Sequence, residues 1–391
     1  MITLLLQRFG RIVLLGTSLL VTLLISRLYG VETIGEYNLF MTNITLMTTL
    51  ITFGTNQSML GYFDEFSLGK MFNINIRLYL GVFLSSIIVL LLSNFFFKLD
   101  SSLILCLFLC AGLSSFSQII KNTQIIINKV HVFYVFDLVL YFLIIVAISS
   151  FYFFKIKLSI IAIISLPYLI FGIYIVQKSI PYINYRSLIK SRIDKIYLKD
   201  SLKTLMATLV LMLSYKANVY LIEWQCGTKQ LGFYTISNVL VDGIVLLLTS
   251  MMLPDFNLIK KLNLKFLKKY LFKYLIFSMG ALVCVIIVGS TLLSLIYNIE
   301  EDQLLPILKK LVFVIPLLTI LKVFQNIFIL NKRMSFYLYV SVLLLISISV
   351  FNFVFKGGVD MIICNYIVSL IIALIFAMTL FFKNRSSFIH E

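Results

Sequence analysis

Six ionisable residues within or beside the long apolar stretches of this 391-residue chain are candidates for a binding site, and their types suggest what the chain could bind. A charged group inside a membrane is costly and usually faces a partner or a water-filled cavity. Four of the six are basic, so a cavity that they line would be cationic and would suit a phosphate or pyrophosphate head group. The six residues are Arg27, Lys121, Asp137, Lys216, Asp242 and Lys322.

Lys216 and Asp242 are the strongest candidates, because the apolar runs place them at similar depth. With a rise of 1.5 Å per residue they lie about 9 and 13 Å below the outer surface, close enough to face each other. The alternative is a structural ion pair whose members only neutralise each other. For Arg27, Lys121 and Asp137 the alternative is a position at the interface, with the charged end reaching water. Lys322 could reach the cytoplasm in the same way.

A polar stripe on one helical face accompanies these charges in the second predicted span. Its members, three or four residues apart, are Asn38, Thr42, Thr45, Thr49, Thr52 and Asn56. The eighth span repeats the pattern with Thr235, Asn238, Asp242 and Thr249. A shift of 197 residues places Asn38, Thr45 and Thr52 on Thr235, Asp242 and Thr249. We expect the two stripes to line one water-filled cavity; the alternative is hydrogen bonding between packed helices.

Enzyme chemistry and cofactor binding find no support in the sequence. The two histidines and five cysteines lack the spacing of metal ligands, and no nucleophile lies beside a base in the pattern of a catalytic site. Gly30 and Gly35 resemble half of a phosphate-binding loop, but Glu36 and Tyr37 replace the lysine and hydroxyl residue that it needs. We therefore predict that the chain is not an enzyme and binds no metal or cofactor.

The elements that must position these residues are membrane-spanning helices. The chain is 61% hydrophobic and 13% charged, with a mean hydropathy of +1.05, and apolar runs of about twenty residues recur along it. We predict an all-α polytopic protein with twelve spans, six on each side of a basic loop. The spans are 12–28, 37–59, 78–97, 102–120, 132–154, 158–177, 203–222, 233–254, 274–297, 304–329, 336–355 and 360–382.

The distribution of basic residues predicts the orientation. Most of the 33 Lys and Arg residues fall on the termini and the loops of one side, which the rule for cytoplasmic loops assigns to the cytoplasm. The formal charge of +17 thus reflects topology rather than nucleic-acid binding. We expect a multi-pass protein of the bacterial inner membrane with both termini cytoplasmic, surrounded by membrane lipids.

A short turn occurs twice in the chain. "RLYGVETIGEYNLF" contains Gly30, Gly35 and Tyr37, and "CGTKQLGFYTISNV" contains Gly227, Gly232 and Tyr234, with an offset of 197 residues. Each turn joins the first two spans of a half, which predicts a parallel repeat of two six-helix bundles. We expect the glycines to adopt positive φ and the tyrosines to lie at the membrane interface. The predicted organisation is a first bundle at 1–177, a basic cytoplasmic linker at 178–202 and a second bundle at 203–391.

The phrase "ISRLYGVETIGEYNLF" resembles the end of the first helix of Wzx-type O-antigen flippases, in the multidrug/oligosaccharidyl-lipid/polysaccharide (MOP) exporter superfamily. The resemblance extends to the span count and the repeat over nearly the whole chain. It implies two bundles around a lumen, alternating access, and an undecaprenyl-pyrophosphate-linked oligosaccharide as substrate. It also implies that Arg27 faces the lumen. The second span departs from the acidic residue that related lipid flippases often carry there.

The leading prediction is a flippase for O-antigen or other polysaccharide repeat units in lipopolysaccharide biosynthesis. Its further partners would be a polysaccharide polymerase and a chain-length regulator. The first alternative is a drug/cation antiporter of the same superfamily, which would need acidic residues deep in the lumen. The second is an O-antigen polymerase, for which the outer loops are short.

Overall fold

The computed structural model describes residues 2–55, 58–59, 68–97, 101–126, 130–156, 158–179, 195–252, 264–299, 301–331 and 333–384. Within these ranges the chain is built from long helices. They are α1 (Ile2–Tyr29), α2 (Val31–Ile51), α3 (Leu68–Phe97), α4 (Ser101–Ile126), α5 (Val130–Phe153), α6 (Ile160–Ser179), α7 (Lys195–Cys226), α8 (Thr228–Ser250), α9 (Leu264–Cys284), α10 (Ser290–Tyr297), α11 (Glu301–Leu311), α12 (Val314–Leu330), α13 (Met334–Val354) and α14 (Val359–Lys383).

Two pairs of these helices, α9 with α10 and α11 with α12, are joined end to end, so the fourteen helices form twelve rods, as the sequence predicts. One turn of π-helix, Val285–Gly289, joins α9 to α10, and a two-residue turn separates α11 from α12. Among the described residues, nine stretches are long and apolar enough to cross a membrane. Large apolar side chains such as Phe142, Phe272 and Phe353 remain exposed on the helices, as hydrocarbon-facing residues do. The chain is an all-α, multi-pass membrane protein.

Helix α7 is longer than its predicted span at both ends. It begins at Lys195, so residues 195–202 of the predicted linker are helical, and it ends at Cys226 rather than near residue 222. Residues 180–194 of that linker, like Asn56 of the polar stripe, lie outside the described residues. The apolar run marked only the part of α7 that suits hydrocarbon, because the helix continues into polar sequence at both ends.

The chain forms two compact units whose boundaries pass through helices. Unit 1 comprises Met1–Thr17 and Leu39–Leu209, and unit 2 comprises Ser18–Asn38 and Val210–Glu391. The predicted division at 177 and 202 separates the two copies of the internal repeat. The boundaries of the two compact units lie elsewhere, within α1, α2 and α7. The outer part of α1 and the start of α2 therefore belong to the unit formed mainly by the second half of the sequence.

Unit 1 packs around an aromatic core between α3, α4 and α6. Tyr79 stacks on Phe83 at 5.6 Å between ring centroids, and Phe83 stacks on Phe108 at 5.1 Å. At the end of α2, Gly54 lies against the backbone of Ser201 and Leu205, so a side chain has no room there. The Tyr197 hydroxyl donates to Asn75 Oδ1 at 2.8 Å, and Ser58 and Ser201 share a hydrogen bond of 2.9 Å. The first turns of α7 are thereby fixed in unit 1.

The two repeated turns cross within unit 2. Gly30 and Gly227 have φ of +96° and +83°, so the positive φ expected of them is confirmed. Gly35 and Gly232 instead lie inside α2 and α8, where the helices touch reciprocally. Gly35 lies against the Thr228 carbonyl, and Gly232 against that of Val31, and both contacts leave no room for a Cβ. These pairs define the glycine crossing, which is symmetric under the 197-residue shift.

The tyrosines of the turns correct a further expectation. Tyr37 and Tyr234 are buried, with 8% and 3% of their surface exposed, and so do not anchor the turns at the membrane interface. Next to the crossing, Asn38 Nδ2 donates to Thr235 Oγ1 at 2.8 Å. These two residues are themselves repeat equivalents, 197 positions apart. The repeated sequence thus encodes a packing motif between two helices as well as a chain reversal.

Candidate functional site

Four polar residues lie within the helices of unit 2: Lys216 of α7, Asn238 and Asp242 of α8, and Lys322 of α12. We call these four residues the unit 2 polar cluster. Asp242 is exposed although α8 is otherwise apolar around it, and Lys216 and Lys322 are both partly exposed. Their helices are membrane spans with mean hydropathies of 1.5 to 2.2. Polar, accessible side chains in such helices mark a hydrated surface rather than a lipid-facing one.

Asp242 is held by its own helix. Its Oδ2 accepts a hydrogen bond of 2.7 Å from Asn238 Nδ2, one turn earlier. The Lys216 ammonium and the Tyr366 hydroxyl lie within electrostatic reach of the carboxylate. Lys216 and Asp242 form no ion pair within 4.0 Å in the described structure.

Helix length explains the separation of Lys216 from Asp242. Lys216 lies ten residues before the end of α7, and Asp242 lies fourteen residues into α8. At 1.5 Å per residue they are about 15 and 21 Å from the α7–α8 turn, about one helical turn apart in depth. The shorter predicted spans had placed both residues too near the surface and too nearly level.

Lys322 contacts an aromatic face instead of an acid. Its Nζ lies 4.8 Å from the ring centroid of Tyr215, whose hydroxyl accepts a hydrogen bond of 3.3 Å from Gln325. A cation over an aromatic ring is stabilised by the ring quadrupole, although the charge is not neutralised. In the described part of unit 2, no carboxylate lies within 4.0 Å of Lys322. The sequence did not point to Tyr215; the i, i+3 spacing could have pointed to Gln325.

Asn218 is a second feature that the sequence analysis missed. It is fully buried on α7, its amide lies near the Tyr234 hydroxyl, and neither amide atom makes a well-aligned hydrogen bond within the described chain. A buried amide normally has partners, so this position would suit an ordered water. The sequence signal that could have identified Asn218 is its position two residues after Lys216.

Arg27 makes a structural contact with α10. Its Nη2 and Nε both donate to the Ile296 carbonyl, at 2.8 and 3.2 Å, at the end of α10. A guanidinium there satisfies a carbonyl that the helix leaves without a partner. One face of Arg27 remains exposed. Earlier in α1, Thr22 shares a hydrogen bond of 2.6 Å with Tyr297, which also holds α1 against α10.

Lys121 and Asp137 form an ion pair in unit 1. Lys121 is buried with 4% of its surface exposed, and its Nζ contacts Asp137 Oδ1. Burial of Lys121 shows that its charged end does not extend freely into water, whereas Asp137 is partly exposed. The pair joins the end of α4 to the start of α5, and each charge has the other as a partner.

The polar stripes are only partly accessible. Thr45 and Thr249 are partly exposed, whereas Thr52 and Thr235 are buried at 3% and 4% exposure. The hydroxyls of Thr45, Thr49 and Thr52 donate to carbonyls of their own helix, at 2.8, 2.9 and 3.0 Å. Most hydroxyl donors of the first stripe therefore bond within their own helix. Among the described members of the two stripes, only Asn38 makes a hydrogen bond to the other stripe.

The comparison with solved structures decides the fold. The lipid II flippase MurJ, in an inward closed conformation, matches with a TM-score of 0.72 at 13% identity, covering 98% of this chain and 89% of MurJ. The chain has a MATE/MOP-like fold. An outward-facing multidrug resistance MATE transporter matches with a TM-score of 0.67 at 11% identity, over 98% and 96% of the two chains. A MOP superfamily transporter from Pyrococcus furiosus, described as having a binding pocket of reverse polarity, matches at 0.69 and 13%, over 99% and 95%.

Sequence comparison adds no closer assignment to this MOP fold. No protein-family model and no curated protein matches the sequence. The neighbours include a lipid flippase and a multidrug resistance transporter, so the ionisable groups of the chain must decide between the functions that this fold supports.

Proposed function

We propose that the protein flips an undecaprenyl-pyrophosphate-linked oligosaccharide, such as an O-antigen repeat unit, from the cytoplasmic to the periplasmic leaflet. It would act in the bacterial inner membrane with both termini cytoplasmic, beside a polysaccharide polymerase and a chain-length regulator. The predicted excess of basic residues on one side supports this orientation. The MOP fold, shared with a lipid II flippase, supports the class of activity.

The observation that carries the proposal is the lysine in the middle of α12. Lys322 lies in a membrane span, is partly exposed, and has no described carboxylate within ion-pair distance. An unneutralised cation in a span is costly unless it serves a ligand of opposite charge. A pyrophosphate is such a ligand, and an ammonium on a flexible stem can pair with it and release it.

The depths of the two lysines suggest an order of contact. Lys322 is eight residues, about 12 Å, from the end of α12 that the predicted topology places in the cytoplasm. Lys216 is about 15 Å from the outer end of α7. Lys322 would thus meet the head group on entry and Lys216 on passage outward, with the nearby Asp242 weakening the second contact. Arg27 would act at the outer rim through its exposed face.

The test is transport of a fluorescent pyrophosphate-linked oligosaccharide in proteoliposomes containing the full-length protein. Lys322→Gln and Lys216→Gln should each reduce transport at least tenfold, and Lys322→Arg should keep part of it, because the charge is retained. Lys229→Gln removes an exposed lysine of the α8 start as the matched control and should leave transport unchanged. Wild-type transport by both glutamine variants would refute the cationic mechanism, and no transport by the wild type would refute the flippase assignment.

A drug/cation antiporter remains the second candidate, favoured by the exposed carboxylate of Asp242 and by the MATE neighbours. That function predicts efflux of ethidium from loaded vesicles and its loss in Asp242→Asn. The flippase proposal predicts that Asp242→Asn slows lipid transport and that no ethidium efflux occurs. The two assays on the same vesicles separate the functions.

A further inference from the structure

Unit 2 contains a cavity of about 690 Å³ away from the unit 2 polar cluster. It lies between the α7–α8 turn, the start of α11 and the start of α14, all of which the predicted topology places on the outer side. Cys226 and Gln230 line it from the turn, Gln303 and Lys310 from α11, and Asp360 and Cys364 from α14. Its volume lies in the range of sites that take small organic ligands.

The polar groups of this outer cavity are balanced in charge. Lys310 Nζ lies 2.8 Å from Asp360 Oδ1, so the two charges on its wall neutralise each other. The other strong hydrogen-bonding groups of the lining are the amides of Gln230 and Gln303, each with donors and an acceptor. The outer cavity therefore differs from the cationic cluster deeper in the unit, and a strongly charged ligand would gain little from it.

Apolar surface accompanies the amides. Pro306, Ile307 and Met361 contribute aliphatic walls beside the polar groups. A ligand that suits both has many uncharged hydroxyl or amide groups on one side and C–H surface on another. That description fits a neutral sugar, whose hydroxyls pair with amides and with both members of an ion pair, whereas an anionic ligand would have to displace Asp360 from Lys310.

We propose that the outer cavity is a binding site for neutral carbohydrate, two or three residues long, on the outer face of unit 2. The site rests on the proposed flippase function in one respect, because the glycan of a lipid-linked substrate would bring the sugar to this face. Binding there would hold the glycan outside while the head group leaves the cationic cluster. The site itself is defined by residues that the head-group mechanism does not use.

Two native cysteines provide the readout. Cys226 and Cys364 line the cavity, so a bound sugar should shield them from a water-soluble maleimide. The full-length chain is prepared in nanodiscs with Cys106, Cys110 and Cys284 replaced by alanine. Chitotriose and maltotriose serve as neutral probes, and a hyaluronan tetrasaccharide serves as the acidic probe.

A neutral probe should slow labelling of both cysteines, and Gln230→Ala/Gln303→Ala should weaken the half-protecting concentration about three- to tenfold, the cost of lost neutral hydrogen bonds. Gln225→Ala, an exposed glutamine beside the turn that does not line the cavity, is the matched control and should leave protection unchanged. Unchanged melting temperatures establish that the variants fold.

The proposal is overturned if neither neutral probe protects the cysteines, if only the acidic probe does, or if the double glutamine variant is protected like the wild type. Lipid transport measured on the same preparations separates the two proposals. Transport without cysteine protection refutes the carbohydrate site and leaves the flippase assignment standing. Protection without transport supports the site and refutes the assignment.

Discussion

Replacing Gly232 with alanine should force apart the two helices that meet at the glycine crossing. A Cβ at Gly232 would lie 2.7 Å from Val31 Cγ1 and would also meet the Val31 carbonyl. Carbon atoms pack at about 3.5 Å or more, so the helices must separate by about 0.8 Å. A Cβ at Gly35 would lie 2.9 Å from Thr228 Cγ2, which requires about 0.6 Å.

Overpacking of this kind costs about 1 to 3 kcal/mol. For a unit of about 200 residues, 1 kcal/mol lowers the melting temperature by about 2 to 4 °C, so each variant should melt about 2 to 12 °C lower. The measurement is thermal unfolding of purified protein in detergent. Gly280→Ala is the control, because a Cβ at that helical position meets nothing within 4 Å. It should match the wild type or melt slightly higher.

The double variant tests whether the two contacts belong to one crossing. One separation of the helices relieves both clashes, because the two contacts are reciprocal, so Gly35→Ala and Gly232→Ala together should cost less than the sum of the single variants. Strict additivity would mean that the glycines act at independent sites. Wild-type melting of either single variant would mean that the helices do not pack as closely as described.

Three further predictions concern the ion pair, the stripes and the topology. Lys121→Met should destabilise unit 1 by about 1 to 3 kcal/mol because it leaves the partly buried Asp137 without its partner. The double variant with Asp137→Leu should recover most of the loss in thermal unfolding, and a double variant as unstable as Lys121→Met would contradict this. In a cysteine-free background, cysteine at Asp242 should react with a charged thiol reagent and cysteine at Thr52 should not; equal rates would show that burial of Thr52 is wrong. Alkaline phosphatase fused at residue 357 should be active and at residue 190 inactive, and the reverse pattern would invert the topology.

The architecture was predictable because its signals are local in sequence. Apolar runs of about twenty residues gave the twelve rods, and the 197-residue offset of two short turns gave the repeat. Gly30 and Gly227 were correctly assigned positive φ, since a reversal between two long helices needs a residue that tolerates it. Hydrophobicity and turn chemistry suffice for these features.

The site was less predictable, because its contacts depend on helix length and rotation. Hydropathy did not show that α7 continues to Cys226 or that α8 begins at Thr228, and these extensions place Lys216 and Asp242 deeper than the predicted spans did. The Tyr215 face beneath Lys322 and the Ile296 carbonyl beside Arg27 come from helices distant in sequence. Lys121 and Asp137 were within reach of sequence reasoning, since a short connection between antiparallel helices brings their ends together.

The hydrogen bond from Asn38 to Thr235 bears on how such a chain could have originated. Its two residues occupy the same position in the two copies of the repeat. Were the copies separate and identical polypeptides, this position would face itself across a two-fold axis, with the same side chain on both sides. Two asparagines or two threonines would then have to share one narrow contact. Fusion into a single chain removes that constraint, so one copy can supply the amide donor and the other the hydroxyl acceptor, a division of labour that a symmetric homodimer cannot encode.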